Sequence, residues 1–374
     1  MVFEGVVVRT CLIEMLVCPS CGGKLRLTRD DVPAEVTSGA LLCVDCALEY
    51  PIADGVPQLL SARERESHVA ASFGFEWQTF HDGGFESDTV FGRTIDEDVA
   101  QFHDVFGVRP ETNRSTGAAA KPVGEAAGKA VGGAAAKTAT LPPDPLAGLV
   151  VADIGCGSGK LTVELARRHP GTTFLAVDVN PAIAEVARAA RDLPNLHVVR
   201  ASVFALPVRE QSVDRLWCNG VIHHTGATEI AFAALTRLVR TGGELFVWVY
   251  QRKLSPLVLV RDLLRPLGLH RWSHRTVYRV CRALSFPTLV GVRALNAVAA
   301  LPGVRGLAAR STHARILTRR RAYDELTLTW FDVLSPRHRD TYTTAEVERW
   351  FEHSGFEPVR RYWWPVGVTG RRSA

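Results

Sequence analysis

The sequence lacks the segments that carry a chain into or through a membrane. Residues 1–5 offer neither the basic stretch nor the long apolar core of a secretory signal. Residues 286–304 are apolar, but Arg293 would lie near the bilayer centre at a cost of roughly 2.5–3.5 kcal/mol, so no span is predicted there. We therefore expect a cytoplasmic protein, in which cysteine thiols stay reduced.

The sequence also has too few cysteines for a disulfide framework and too little net charge for a disordered chain. Its 374 residues include eight cysteines, 47% hydrophobic residues and a formal net charge of +5. A chain of this length and composition is globular and is more often built from two domains than from one. The charge is uneven, however, because residues 251–321 hold fifteen Lys or Arg and a single acidic residue, Asp262.

Half of the cysteines form two close pairs near the start of the chain. In each pair two residues separate the cysteines, and 21 residues separate the two pairs. Four thiolates satisfy the tetrahedral coordination of zinc, and strand-like residues beside each pair predict a zinc ribbon. A redox pair or unrelated thiols are the alternatives. Because the protein would fill every coordination position, the predicted zinc is structural, and its ligands are Cys18, Cys21, Cys43 and Cys46.

A glycine-rich turn follows an apolar run in the middle of the chain. The run, residues 149–154, suits a buried parallel strand, and a helical pattern begins directly after the turn. Gly155, Gly157 and Gly159 permit a tight turn and remove the Cβ atoms that would keep a ligand off the backbone. The next predicted strand ends in Asp178, whose carboxylate can accept hydrogen bonds from both hydroxyls of an adenosine ribose.

The glycine spacing and the later carboxylate resemble the class I S-adenosylmethionine-dependent methyltransferase family over residues 149–250. The G-x-G-x-G spacing differs from the G-x-G-x-x-G of a dinucleotide turn, which argues against a nicotinamide-dependent oxidoreductase. Repeated strand–helix alternation predicts an α/β fold, a doubly wound Rossmann-like sheet with its ligand at the carboxyl ends of the strands. The resemblance implies that S-adenosylmethionine is held by Asp153, Gly155, Cys156, Gly157, Gly159, Asp178, Val179, Ser202, Val203, Asn219 and Gly220.

One of these positions departs from the family pattern. Where Ser202 stands, the family usually has an acidic residue that bonds the adenine amino group. Serine can accept one hydrogen bond but carries no charge. We therefore expect the backbone at Val203 to share the adenine contact.

Two adjacent histidines are the predicted acceptor-side residues. Methyl transfer to oxygen or nitrogen requires the protein to position the acceptor and, where the acceptor carries a proton, to remove it. His223 and His224 follow the fourth predicted strand of the core, and histidine has a suitable pKa near 6.5. We predict His224 as the base; the alternative is that the pair shapes the loop. A later stretch resembles the substrate-side loop of related methyltransferases, which makes Asp332 and His338 predicted acceptor contacts.

The chain divides into six predicted segments. Residues 48–60 resemble the small zinc-ribbon proteins that bind and activate RNA and protein methyltransferases, which implies such a module fused in front of the enzyme. The aromatic stretch at residues 73–80 resembles a lid over the cofactor, with interdomain packing as the alternative. The segments are a zinc-ribbon module (1–61), an aromatic lid or connecting segment (62–113), a flexible low-complexity linker (114–145), the methyltransferase core (146–250), a basic helical insertion (251–329) and the C-terminal part of the core (330–374).

The basic insertion leaves the methyl acceptor open. Arg271, Arg275, Arg279 and Arg282 recur at intervals of four, four and three residues, which places them on one helical face. Such a face contacts an anionic membrane surface, a phosphate backbone or an acidic substrate, or is simply solvated. We favour a hydrophobic or membrane-derived small acceptor over RNA, because aliphatic runs separate the arginines and aromatic stacking platforms are few. An RNA or protein acceptor and a non-catalytic scaffold built on the zinc module stay open as alternatives.

Overall fold

In the computed structural model, an 11-stranded sheet runs through the centre of the molecule. The predicted low-complexity linker lies outside the described residues, apart from Asp144 and Pro145, and so do residues 300–321 of the basic insertion. The structure describes residues 8–28, 35–83, 89–91, 93–108, 144–252, 256–299, 322–362 and 366–374.

The secondary structure of the described residues changes from short antiparallel strands to strand–helix alternation along the chain. The strands are β1 Val8–Arg9, β2 Leu25–Leu27, β3 Glu35–Val36, β4 Gly39–Cys43, β5 Glu49–Ala53, β6 Val56–Leu59, β7 Thr89–Val90, β8 Arg93–Thr94, β9 Val150–Ile154, β10 Thr173–Asp178, β11 Leu196–Ala201, β12 Val213–Asn219, β13 Val239–Trp248, β14 Phe356–Arg361 and β15 Gly367–Arg372. The α-helices are α1 Thr10–Met15, α2 Ala62–Arg65, α3 His68–Asp82, α4 Ile95–Val105, α5 Lys160–Arg168, α6 Ile183–Ala189, α7 Thr228–Leu238, α8 Pro256–Leu264, α9 His274–Ala299, α10 Ala322–Leu334 and α11 Thr344–His353.

The sheet confirms the doubly wound prediction. β9 pairs in parallel with β10 on one side and with β12 on the other. The chain continues outward to β11 beyond β10 and to β13 beyond β12, both again in parallel. β15 then pairs antiparallel with β13 and with β14, which forms that edge. Strand order reverses beside β9, and in open α/β sheets the ligand binds in the crevice outside the carboxyl ends at this point.

The central strands are buried on both faces, as their uninterrupted apolar sequence predicts. Along β10, Leu175 and Val177 pack into one core, while Phe174 and Ala176 pack into the core on the opposite face. None of these four side chains exposes more than 1% of its surface. The turn that follows β9 is therefore held between two packed layers.

The zinc ribbon is joined to this sheet by strand pairing. β6 lies parallel to β11, with Gln58 opposite Arg200 and Leu59 opposite Ala201. β5, β4 and β2 continue the same sheet outward in antiparallel order. The ribbon also shares a hydrophobic core with the strands beyond it, since buried Leu41 belongs to the same cluster as Leu59 and Ala201. The N-terminal module is thus an extension of the central sheet.

The helical insertion after the fifth core strand is present as predicted. In its described part, α9 packs against α10, and buried Val277 and Cys281 meet Trp330 and Phe331. Phe75 of α3 contacts the same cluster. Among the described residues, no helix combines the length and the apolar character needed to traverse a bilayer.

Candidate functional site

The turn between β9 and α5 requires glycine at alternate positions. Gly155, Gly157 and Gly159 have φ angles of +80°, +57° and +69°, a region that side chains disfavour. A side chain at Gly157 is also excluded by lack of space, because its Cβ would lie 2.7 Å from Cζ2 of Trp77. A Cβ on Gly155 would collide with Val221. The glycines therefore let Trp77 and Val221 pack directly on the backbone of the turn at the carboxyl end of the central strand.

Asp178, at the end of β10, fastens the turn from the neighbouring strand. Its Oδ2 accepts a hydrogen bond from the Gly157 N–H at 2.9 Å, and its Oδ1 accepts one from the Asn180 N–H at 2.9 Å. Burial raises the pKa of this carboxyl, while the two backbone bonds act in the opposite direction. Each oxygen keeps a further lone pair, so the carboxylate fits the two hydroxyls of an adenosine ribose.

Asp153 and Cys156 support the turn from within. Asp153 accepts a hydrogen bond from the Thr162 hydroxyl at the start of α5. Burial raises the pKa of Asp153 to about 7, and the nearby Asp178 adds to that rise. Burial likewise raises the pKa of the Cys156 thiol well above its ordinary value, so it is a neutral side chain here.

The remaining predicted cofactor residues lie at the same edge of the sheet. Val179 follows β10, Ser202 and Val203 follow β11, and Asn219 ends β12 before Gly220, whose φ is +80°. Ser202 already has a local role, since its Oγ accepts a hydrogen bond from the Phe204 N–H at 3.3 Å. The sheet thus brings together every position that the sequence assigned to S-adenosylmethionine.

Helix α3 connects the cofactor turn to the histidine pair. Its Trp77 lies over Gly157, and a Cβ on its Gly74 would lie 2.6 Å from Cδ of Pro181. On the same helix, the ring of Phe73 meets the ring of His224 edge-on, with 5.1 Å between the ring centroids. The aromatic stretch therefore covers the turn. Through Phe75 it also packs against the helical insertion.

His224 is buried in a defined orientation. Its Nδ1 lies 3.1 Å from the His338 carbonyl oxygen, which can only accept, so Nδ1 carries the proton. Nε2 therefore bears the lone pair; it has no hydrogen-bond partner among the described residues and lies 3.6 Å from Oδ1 of Asp332. Burial lowers the pKa of His224, although Asp332 partly offsets that effect. The imidazole is thus neutral at neutral pH.

Tyr250, the partly buried Asp332 and the buried Glu76 form a cluster with this imidazole. Asp332 on α10 accepts a hydrogen bond from the Tyr250 hydroxyl. Glu76 on α3 is 2% exposed, and its Oε2 has no partner among the described residues. Burial, reinforced by Asp332, raises the pKa of Glu76 well above its usual range. The guanidinium of Arg339 lies 3.9 Å from the centre of the Tyr250 ring. The cluster is polar and incompletely bonded, and its residues are buried or half-buried.

His223 and three residues outside the sequence prediction complete the site. His223 is fully buried, its ring lies 4.0 Å from that of Tyr250, and neither nitrogen is bonded by a described residue. Glu76, Tyr250 and Asn180 were missed by sequence reasoning. A signal existed for Glu76, which is the one charged residue in the aromatic stretch at 73–80. No comparable signal marks Tyr250.

The four ribbon cysteines form a compact sulfur cluster. All four Sγ atoms lie within 4.8 Å of one another; the Cys21–Cys43 distance is 3.5 Å and the Cys18–Cys46 distance is 3.7 Å. Sulfurs bound to one tetrahedral zinc at about 2.3 Å lie about 3.8 Å apart. The arrangement fits structural zinc, as predicted, with no coordination position left for water.

Comparison with known proteins agrees with this geometry. Residues 152–247 match the family described as Methyltransferase domain, and residues 11–55 match the family described as Trm112p-like protein. A ubiquinone biosynthesis O-methyltransferase of Xylella fastidiosa is 28% identical over 149 residues, which are 34% of this chain and 60% of that protein. A trans-aconitate 2-methyltransferase of Deinococcus radiodurans is 34% identical over 111 residues, which are 30% of this chain and 41% of that protein.

The solved structures that are similar to the chain include a magnesium protoporphyrin IX methyltransferase of Synechocystis with bound S-adenosylhomocysteine; it is 16% identical, with 61% of this chain and 76% of that chain covered and a TM-score of 0.34. The chain covers less than two thirds of the length of the two curated relatives named above. Residues 152–247 therefore form a methyltransferase domain of the class I S-adenosylmethionine-dependent type, and residues 11–55, with their four-cysteine cluster, form a Trm112p-like zinc ribbon ahead of that domain.

Proposed function

We propose that the chain transfers a methyl group from S-adenosylmethionine to a hydroxyl oxygen of a hydrophobic small molecule bound beside His224. The observation that carries the proposal is the Nε2 atom of His224, which is buried, lacks a partner among the described residues and lies 3.6 Å from a carboxylate. A lone pair held in this way suits the removal of one proton from an acceptor.

The cofactor half of the site has the residues to hold a sulfonium nucleoside. The backbone of the glycine turn would lie against the cofactor, Asp178 would accept hydrogen bonds from the ribose hydroxyls, and Ser202 and Val203 would border the adenine. Asn219 and Gly220 face the same crevice from the next strand end. The bound cofactor supplies an already activated methyl group, so the protein has only to orient the acceptor and handle its proton.

His224 is suited to handle that proton. The bond from Nδ1–H to the His338 carbonyl fixes the tautomer and directs the Nε2 lone pair toward the cluster. When the acceptor O–H bond breaks, its electron pair stays on oxygen and the proton goes to Nε2. The carboxylate of Asp332 then stabilises the imidazolium that forms.

The surroundings favour a hydrophobic acceptor. Phe73 borders the imidazole of His224, while the rings of Trp248 and Tyr250 lie around His223. The name of the Xylella relative, a ubiquinone biosynthesis O-methyltransferase, also agrees with transfer to oxygen. RNA is the weaker candidate, because the site residues are buried and a nucleobase would have to enter below α3.

The test combines cofactor binding with labelled-methyl transfer. Calorimetry with S-adenosylhomocysteine should give saturable binding, and label from S-adenosylmethionine should enter the lipid-soluble small-molecule fraction of a cell extract. His224→Gln should keep its affinity for S-adenosylhomocysteine within about threefold while turnover falls roughly 10²–10⁴-fold. Label in RNA or protein, or unchanged turnover in His224→Gln, would contradict the proposal.

A further inference from the structure

The exposed surface of the helical insertion is apolar to an unusual degree. Among the described residues, ten large hydrophobic side chains are exposed, and six of them belong to α8, α9 and the turns between. Leu263 has 77% of its surface exposed and Phe286 has 65%. A soluble domain seldom gathers such side chains in one place unless the surface contacts a partner. The other four of the six are Leu259, Leu267, Trp272 and Val290.

On α9 these side chains share a face with arginines. Residues recurring at intervals of four, three, four, four and three lie on one side of a helix. All members of this row are exposed, whereas Val277 and Cys281 on the other side are buried against α10. Within the described part of the chain, this face therefore takes no part in the hydrophobic core. The row consists of Arg275, Arg279, Arg282, Phe286, Val290 and Arg293.

The charge of this surface is strongly positive. Between residues 256 and 299 the sequence has seven arginines, and its single acidic residue, Asp262, is paired with Arg261 at 2.5 Å. No carboxylate in the described part of the chain pairs with Arg271, Arg275 or Arg279. Positive charge interleaved with large apolar groups matches a layer in which anionic headgroups lie beside acyl chains.

We propose that this face, formed by the exposed residues of α8, of α9 and of the turns between them named above, docks the chain onto an anionic lipid bilayer. The arginines attract the charged headgroups, and Leu263, Trp272 and Phe286 enter the boundary between headgroups and acyl chains. RNA is a poorer match, because Leu259, Leu263 and Leu267 offer it neither stacking nor hydrogen bonds. The docking proposal does not depend on which molecule the chain methylates.

Docking is tested by co-sedimentation of the full chain with vesicles. The chain should bind vesicles of phosphatidylcholine mixed with phosphatidylglycerol, should bind vesicles of phosphatidylcholine alone far more weakly, and should be released by high salt. Tight binding to an RNA homopolymer without vesicle binding, or equal binding to both kinds of vesicle, would overturn the proposal.

Surface variants identify the docking face. The double variant Leu263→Asp/Phe286→Asp should lower the partition coefficient at least tenfold, since two apolar groups no longer leave water. Arg275→Gln/Arg279→Gln should lower it about 25-fold, at roughly fivefold for each charge. Ile230→Asp on α7 is the matched control, because Ile230 is 66% exposed but lies outside the insertion.

All variants should unfold at the same temperature as the unmodified chain, because each altered side chain is exposed. If Ile230→Asp weakens vesicle binding as much as Leu263→Asp/Phe286→Asp, or if the latter leaves binding unchanged, the assigned face is wrong.

Discussion

Two regions of the site hold their titratable groups in opposite ways. The cofactor edge is the carboxyl edge of the sheet with the glycine turn and Asp178, and the acceptor cluster consists of His224, Asp332, Glu76 and Tyr250. At the cofactor edge the chain itself bonds the carboxylates, Asp178 through two backbone N–H groups and Asp153 through Thr162. In the acceptor cluster, Glu76 and His224 each bury an atom that no described residue bonds. Buried polar atoms without partners are costly, so they are expected where a ligand completes the bonding. The carboxylates of the cofactor edge are therefore bonded without a ligand, whereas Glu76 and His224 of the acceptor cluster are not fully bonded.

The largest effect should come from breaking the cofactor edge alone. Gly157→Val should weaken S-adenosylhomocysteine binding at least about 100-fold, because valine disfavours a φ of +57° and its Cβ meets Trp77. Calorimetry measures the loss. Gly242→Val is the control, since Gly242 has a φ of +76° but open space around it, and should cost stability without changing affinity. Equal affinities in all three proteins would show that the turn does not contact the cofactor.

A smaller effect should come from the acceptor cluster. Asp332→Asn should lower kcat about 10- to 100-fold and leave S-adenosylhomocysteine affinity unchanged, because the imidazolium loses its neighbouring charge. Asp192→Asn removes an exposed carboxylate that lies beside Arg191 instead, and should retain activity. If Asp332→Asn weakened cofactor binding and left kcat intact, the division of the site into two halves would be wrong.

The smallest effect on turnover should come from Glu76. Burial raises the pKa of Glu76 well above its usual range and so favours the protonated form, which glutamine imitates; Glu76→Gln should therefore change kcat by less than about threefold. The pH dependence of the unfolding temperature shows whether the folded state favours the protonated or the ionised form of Glu76. The stabilising contribution of a carboxyl with a raised folded pKa is lost as pH rises through that pKa, so Glu76→Gln should unfold at a higher temperature than the unmodified chain in alkaline buffer and at the same temperature in acid.

Thermal scans at several pH values check the Glu76 prediction. Glu66→Gln, on an exposed residue, should show no pH-dependent difference. A Glu76→Gln protein that is less stable than the unmodified chain in alkaline buffer would mean that Glu76 is ionised and paired in the folded state.

Sequence reasoning predicted the local geometry where a short stretch of residues determines it. The positive φ angles and the spacing of the turn glycines are set within a few residues of sequence. The spacing of the paired cysteines predicts a zinc site in the same local way. Asp178 is also local in effect, because parallel strands joined by one helix must end at the same edge. These positions were predictable without knowing what packs on them.

Contacts between residues far apart in the chain could not be predicted from the sequence. Neither periodicity nor spacing indicates that β6 pairs with β11, since any exposed strand edge accepts another strand. The same holds for Trp77 over Gly157 and for Glu76 beside Asp332, where residues far apart in the chain meet through the packing of α3 and α10. The sequence predicted the aromatic stretch as a lid or as interdomain packing, but the burial of the Glu76 carboxyl within it could be seen only in the fold.

The most direct test of the central claim is the pH dependence of kcat for the unmodified chain and for His224→Gln, with cofactor saturating. Burial lowers the pKa of His224, so kcat should fall about tenfold for each pH unit below a pKa that is lower than 6.5, and this limb should vanish in His224→Gln. An acidic limb that persists unchanged in His224→Gln would contradict the assignment of the acceptor proton to Nε2.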